Sequence, residues 1–355
     1  MSFLNLSHLT IQRHVIGSAG VDLVAKFRPH WIRENKSPCE CIGIKEFTAG
    51  NTNYIFGFYE KNCNDSVQDM VLMKIFGEGS EALIDRAAEI DSFLRLHAKN
   101  LSSRLYGRFA NGLVYEFVNG CTLTEETVRD PHISYLIAEH MAEWHANIEP
   151  TEKDDVDYPM LYKKLDTWVE LCKRLPEFTL KHLHSPQQIC YEVLKNELEW
   201  MQSKFNIKTM RSPQVFCHND VLMENIIFNE ATDQVKFIDL EYGGFNFSAF
   251  DIGNHFDEMC GLDVLDFSRY PGEEEQKLFI KHYLNKFNKL KQLNTPTECE
   301  IHQLYLEANR MALCAHFFWG VWACQQTLLS TMGFDYMGYA NLKLSEYFNV
   351  KPITP

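Results

Sequence analysis

The stretch from Val215 to Glu258 constrains this chain more than any other, because VFCHNDVLMENIIF and VKFID are apolar runs on either side of the polar segment NEATDQ. Two short strands, Ile226–Phe228 and Val235–Asp239, flank a segment rich in turn residues, and this pattern predicts a β-hairpin. Such a hairpin returns Asp239 towards Asn225, which lies fourteen residues earlier. A fold that accommodates it gathers His218, Asp220, Asn225 and Asp239 around one loop.

The residue types in that loop match the requirements of phosphoryl transfer. Moving a γ-phosphoryl group leaves little covalent work to a protein, which must orient an acceptor hydroxyl, hold magnesium across the phosphates and offset developing charge. Asp220, in the pattern H-x-D-x-x-x-x-N, is the expected catalytic base. Asn225 and Asp239 offer the hard oxygen ligands that Mg2+ accepts alongside substrate phosphates. Taken singly, an H-x-D or an I-D pair is commonplace, and an aspartate after a strand is more often a turn or cap residue. The weight lies in the joint pattern with the hairpin between its acidic groups.

At 355 residues the chain exceeds the usual size of a single core, so two lobes are expected. A net charge of −14 argues against a nucleic-acid or anionic-membrane surface and favours a small, cationic partner. Eleven scattered cysteines indicate free thiols rather than a disulfide framework, and Cys39 and Cys41, without a second Cys/His pair nearby, do not make a zinc site. The segment MSFLNLSHLTIQRHV has neither a basic start nor a long apolar core, and no run of 18 apolar residues occurs. The expectation is a soluble cytoplasmic protein with no stable membrane insertion.

Upstream, IGIKEFTAGNTNYIFGFYE alternates as a strand pair around Gly50 and Asn51, residues that tolerate the positive φ of a tight turn. A turn of this kind can present backbone amides to phosphates. Next, VLMKIFG is a strand in which Lys74 is the single charge, and a buried lysine needs a partner. Glu89, in the predicted helix of residues 81–100, is the candidate, since a strand lysine paired with a helix glutamate positions phosphates in kinases. Two more strands follow in RLYGRFANGLVYEFVNG, with Asn111 and Gly112 as their turn. After Phe117 the period changes from 2 to helical, with helices expected at 134–148, 189–204 and 300–331. An antiparallel-sheet N-terminal lobe (1–117) and a mainly helical C-terminal lobe (118–355) result, an α+β bilobal architecture.

These residues, and above all IDLEYGGFNFSAFDIGNHFDE, resemble the choline and ethanolamine kinase family, a branch of the protein-kinase-like fold that also includes aminoglycoside phosphotransferases. Leu240 stands where that signature more often has an aromatic residue. The similarity runs from about residue 44 to the C-terminus, and NGLVYEFVNG and GFDYMGYA are closer to ethanolamine kinases. It implies ATP and Mg2+ as cofactors, with Asp220 as base and Asn225 and Asp239 as metal ligands. The nucleotide set would be Gly50, Asn51, Thr52, Asn53, Lys74, Glu89, Glu116 and Val118. An amine pocket of Glu241, Tyr242, Glu258, Trp319 and Trp322 is implied for a small amino alcohol. Trp319 and Trp322 share a helical face, a spacing that by itself more often marks a packed core than a ligand cage. Ethanolamine is the expected acceptor and choline the alternative. A catalytically inactive binding module would have lost one of Asp220, Asn225, Asp239 or Lys74, and all four are present. The resemblance is compatible with a homodimer.

Overall fold

Aromatic and β-branched residues between Ile42 and Glu116 build five strands of a six-stranded sheet in the computed structural model of the chain, which describes residues 3–47, 53–61, 69–77, 84–183, 186–261, 264–330 and 333–354. The chain forms two compact units, Met1–Gly120 with Ser330–Phe334, and Cys121–Leu329 with Asp335–Pro355.

In the first unit the elements run β1 (Leu4–Leu6), α1 (Val21–Phe27), α2 (Pro38–Cys41), β2 (Ile42–Phe47), β3 (Asn53–Glu60), β4 (Val71–Phe76), α3 (Arg86–His97), β5 (Leu105–Phe109) and β6 (Gly112–Glu116). The sheet order is β1-β5-β6-β4-β3-β2. Every pairing is antiparallel except that of β1, which adds to β5 in parallel. The edge strand β1 has too few residues to show a period and was not expected. Phe56, Phe58, Val71 and Met73 from the centre of the sheet form one core with Val21, Val24, Phe27 and Trp31 of the N-terminal segment. Gly112 is the first residue of β6 rather than part of the turn. A Cβ there would lie 2.2 Å from the Lys74 carbonyl oxygen, so the close approach of β6 to β4 requires glycine. Helix α3 begins at Arg86, because the Asp85 side chain accepts from the amides of Ala87 and Ala88 and so caps it. The expected phosphate turn at Gly50, Asn51 and Thr52 lies outside the described residues.

The second unit comprises β7 (Cys121–Thr122), α4 (Pro131–Asn147), α5 (Met160–Leu171), β8 (Phe178–Leu180), β9 (Gln187–Ile189), α6 (Tyr191–Lys204), β10 (Gln214–Cys217), β11 (Ile226–Asn229), β12 (Gln234–Phe237), β13 (Gly244–Phe247), α7 (Ser248–Glu258), α8 (Glu273–Leu290), α9 (Glu298–Leu329) and α10 (Tyr336–Val350). The hairpin is β11–β12, with Ile226 opposite Phe237 and Asn229 opposite Gln234, and β7 pairs with β11 on its other side. Asp239 therefore falls just beyond the hairpin instead of ending a strand. Strands β10 and β13 form a second antiparallel pair, from Gln214 opposite Phe247 to Cys217 opposite Gly244.

Helix α9 is 32 residues long and is buried on all sides from Met311 to Val321. Such a helix belongs at the centre of its unit. It contacts α7 through Gly253, where a Cβ would meet the Ala308 carbonyl oxygen at 2.3 Å and the Ala312 amide nitrogen at 2.6 Å. No described helix is long and apolar enough to cross a membrane.

Because the atoms that oppose a Cβ at Gly253 are backbone, they cannot rotate away. Gly253→Ala is expected to separate α7 from α9 and destabilise the second unit by about 1–3 kcal/mol. Urea unfolding monitored by circular dichroism checks this, and an unchanged midpoint would show that the two helices adjust without cost.

Candidate active site

The loop between β10 and β11 is positioned by buried polar groups. The Asp251 carboxylate, in the first turn of α7, accepts from the backbone amides of His218 (2.7 Å) and Asn219 (2.6 Å). The His145 imidazole bonds the same carboxylate at 3.0 Å and is itself held by Tyr283 at 2.9 Å. All five residues are buried. Burial raises the carboxyl pKa of Asp251, while His145, His218 and the amides lower it, and the net direction is downward. The anion is thus the stable form, able to accept from two adjacent amides.

Asn219 adopts φ = 68°, a left-handed conformation that asparagine tolerates better than most residues. Its Nδ2 donates to the Tyr242 carbonyl at 2.9 Å, and its Oδ1 accepts from Asn246 at 2.8 Å, which ties the loop to the segment after Asp239 and to β13. His218 makes the other cross-link. Its Nδ1 accepts from the Asp220 amide at 3.3 Å, so its proton resides on Nε2 and is donated to the Ile238 carbonyl at 2.8 Å. One neutral ring spans the residue before Asp239 and the backbone of Asp220, and burial favours that neutral form. His255 of α7 acts similarly, with Nδ1–H donating to the Val221 carbonyl at 3.0 Å and a pKa pushed down by burial to about 4.

Asp220 lies in the frame so formed. Asn225 Nδ2 donates to both its carbonyl and its Oδ2 at 3.0 Å, whereas its buried Oδ1 has no hydrogen-bond partner among the described residues. Burial first, then the charges of Glu258, Asp239 and Glu241, drive its carboxyl pKa well above the usual range. Three other acidic side chains are therefore within electrostatic reach of Asp220. Asp239 itself adopts φ = 61°, a left-handed conformation at the exit of β12 that aspartate tolerates. With Nδ2 committed to Asp220, the Asn225 amide has its Oδ1 left to offer. The donor set of Asn225 and Asp239, with Glu241 close by, consists of hard oxygens, the ligand type that a divalent cation accepts.

Beside these carboxylates the aromatic residues pack edge to face. Tyr242 meets Trp319 at 5.4 Å between ring centroids, Trp319 meets Trp322 at 5.7 Å, and Trp322 meets Tyr336 and Tyr339 of α10 at 5.7 and 6.4 Å. The two tryptophans differ. Trp319 is 5% exposed and its indole N–H donates to Asn254 at 2.7 Å, as in a packed core, whereas Trp322 is only partly buried. Glu258, at the end of α7, is buried, and its Oε1 lies 3.1 Å from the ammonium of Lys343.

In the first unit, Lys74 Nζ lies 2.9 Å from Glu89 Oε1, and both side chains are almost fully buried. Arg86 shares the same carboxylate, with Nη1 2.8 Å from Oε2, and its Nη2 donates to Asn53 Oδ1 at 3.1 Å. Asn53 is the first residue of β3 and is buried. Glu116 ends β6 with an exposed side chain turned back to accept from the Arg104 amide at 3.0 Å, and Val118 lies just beyond.

Several of these residues carry no signal in the sequence that singles them out. Asp251, His145 and His255 are recognisable only once α4 and α7 are packed on the loop. Lys343 is the one lysine within an otherwise unremarkable helix. Tyr336 and Tyr339 repeat at i, i+3, the spacing that marked Trp319 and Trp322, and could have been found by the same rule.

The buried neutral histidines set an acid limit. A folded pKa for His255 of about 4, below its ordinary 6.5, means that the unfolded chain binds the proton first. Stability is complete above pH 6.5 and declines as pH falls towards 4, by about 2 kcal/mol at pH 5 from this ring alone. Between pH 7 and pH 5, His255→Asn should therefore lose less stability than the wild type in urea titrations, and equal losses would clear His255 as the source.

The geometry accords with the comparisons. Residues 44–348 match the family pattern for choline/ethanolamine kinase. Ethanolamine kinase 2 of Mus musculus is 36% identical over 97% of this chain and 84% of its own length. The solved structure of an ethanolamine kinase from Plasmodium vivax superposes with a TM-score of 0.78 at 25% identity, covering 96% of this chain and 90% of that one. A macrolide 2′-phosphotransferase type I shares the fold at 12% identity, with a TM-score of 0.54 over 95% of this chain and 99% of the other. Sequence and fold agree, and the chain belongs to the choline/ethanolamine kinase family.

Proposed function

We propose that this chain transfers the γ-phosphoryl group of ATP to the hydroxyl of ethanolamine, giving phosphoethanolamine for phospholipid synthesis. The observation that carries the reading is the Asp220 carboxyl, buried, with Oδ1 unbonded among the described residues and beside both the oxygen donors and the aromatic cluster. A hydroxyl that donates to that oxygen is aligned, and its proton has an acceptor as the P–O bond forms. The raised proton affinity of Asp220 suits it to take the proton, and Asn225 holds the other carboxylate oxygen in place.

Asn225 and Asp239, with Glu241 adjacent, are the residues that would hold Mg2+, which supplies charge neutralisation on the phosphates when bound. Lys74, kept in place by Glu89, would pair with phosphate oxygens, as would the backbone of Gly50 to Asn53. Glu116 and Val118 would offer backbone groups to the base. Glu258 and the exposed part of Trp322, with Tyr242 near, are suited to an alkylammonium, since indole faces and a carboxylate both attract a desolvated cation. Trp319 supports Trp322 from the core side. A primary ammonium donates hydrogen bonds that Glu258 can accept, whereas a trimethylammonium has none to give, and this favours ethanolamine over choline. We place the reaction in the cytoplasm, where free thiols such as those of the described cysteines persist.

Asp220→Asn should lower kcat by about 10²- to 10⁴-fold while ATP binding survives, because it removes the base and not the phosphate anchors. A kcat within threefold of wild type would take Asp220 out of that role.

Replacement of Trp322 by Ala should raise the acceptor KM about thirtyfold with little change for ATP, the equivalent of about 2 kcal/mol for a desolvated cation over an indole. For Trp319→Ala, loss of core packing worth about 3–5 kcal/mol should dominate and depress every activity together. Steady-state kinetics with ethanolamine, choline and ATP, run beside thermal melts, separate the two. A fall in melting temperature for Trp322→Ala at constant acceptor KM would assign this tryptophan to the core as well.

A further inference from the structure

Lys343 is fully buried on α10, with Nζ 3.0 Å from Asp257 Oδ2 and 3.1 Å from Glu258 Oε1. The two carboxylates are consecutive at the C-terminal end of α7, where the helix dipole already disfavours negative charge. His316 of α9 approaches Asp257 from the other side, with Nδ1 3.0 Å from Oδ1. In the Lys343 contacts, two carboxylates thus face one ammonium. The lysine also lies one helical turn after Tyr339, and its ammonium is 5.7 Å from that ring's centroid.

A buried ion pair is weak evidence for stability, since desolvation of the charges offsets their attraction, and apolar residues of like volume often serve as well. What Lys343 does here is constrain direction. Nothing in an α-helix brings consecutive side chains to the same point, so Asp257 and Glu258 would diverge, and their like charges would drive them further apart. The ammonium holds both. It takes Asp257 as its counter-charge and fixes Glu258 through one oxygen, Oε1. The second oxygen then retains its lone pairs for another donor. The same side chain supports Tyr339, which packs against Trp322.

We infer that Lys343 is a positioning residue for the amine acceptor, which orients the Glu258 carboxylate and limits the pocket to a single uncompensated negative charge, matched to one ammonium. The inference rests on the reading of Glu258 and Trp322 as the amine site. Lys343 touches neither the transferred phosphoryl group nor the nucleotide in this scheme, so its removal acts on acceptor binding.

The test compares the full-length wild type with Lys343→Met and with the double variant Asp257→Asn/Lys343→Met, which removes one charge of each sign and so retains the net charge of the cluster. KM for ethanolamine, KM for ATP, kcat and the thermal melt are measured for each. The expected result is an ethanolamine KM raised about tenfold in both variants, with the ATP KM within twofold and kcat at saturating amine little changed. Should Lys343→Met alone fail to fold because two adjacent carboxylates are left buried, the charge-conserving variant decides. An unchanged ethanolamine KM in the folded double variant overturns the inference. So do parallel changes in both KM values and kcat that follow the loss of folded protein. A wild type that turns over ATP with neither ethanolamine nor choline refutes the proposed reaction itself, a result distinct from an unchanged KM in an active enzyme.

Discussion

The site depends first on the Asp251 carboxylate. Two consecutive backbone amides, those of His218 and Asn219, point at it, and a loop presents two amides in one direction only when an acceptor is fixed opposite them. Asp251 is fixed because α7 is packed on α9 without a side chain at Gly253, and because His145 bonds it from α4. The left-handed turn at Asn219 follows from that anchoring, and Asp220, the next residue, is directed by it. The aspartate proposed as the base is thereby oriented by a second aspartate some thirty residues on, through the backbone and not through its own side chain. The cost of burying the second carboxylate is offset by three hydrogen bonds, so the loop can remain ordered while carrying an unbonded oxygen.

Electrostatics explains why that oxygen is useful. Glu258, Asp239 and Glu241 are close enough to Asp220 to raise its proton affinity, an unfavourable arrangement in a folded protein by itself. A divalent cation among the oxygen donors and an ammonium beside Glu258 would relieve it, and these are the cofactor and acceptor that the proposed reaction requires. Of these four acids, Glu258 is the one that Lys343 pairs with. The overall charge of −14 is thus reflected at the site itself.

Local chemistry explains which features were legible beforehand. The β11–β12 hairpin could be foreseen because both strands are apolar and the turn polar, and its register is set by the short span between them. Lys74 drew attention as a lone charge in a strand, and the contact with Glu89 forms. The sharing of that carboxylate with Arg86 was not foreseen, since an arginine in the first turn of a helix looks like any solvated residue until Asn53 is brought to it. For Trp319 and Trp322, helical spacing placed the rings on one face but could not say what that face meets. The packing of α7 and α10 against α9 separates a bonded core indole from a partly exposed one.

The sequence by itself determined the class of chemistry, the two-part architecture and the family, because these follow from short patterns whose residues act within one hairpin, strand or helix turn. The tertiary structure alone decided how the acids are oriented and compensated. Asp251 beneath the loop, His218 between Asp220 and Ile238, and Lys343 against Asp257 and Glu258 are contacts between residues from two to 106 positions apart. In most of these, charge and hydrogen-bonding capacity find their partners only after helices with no local reason to meet have been packed together by their apolar faces.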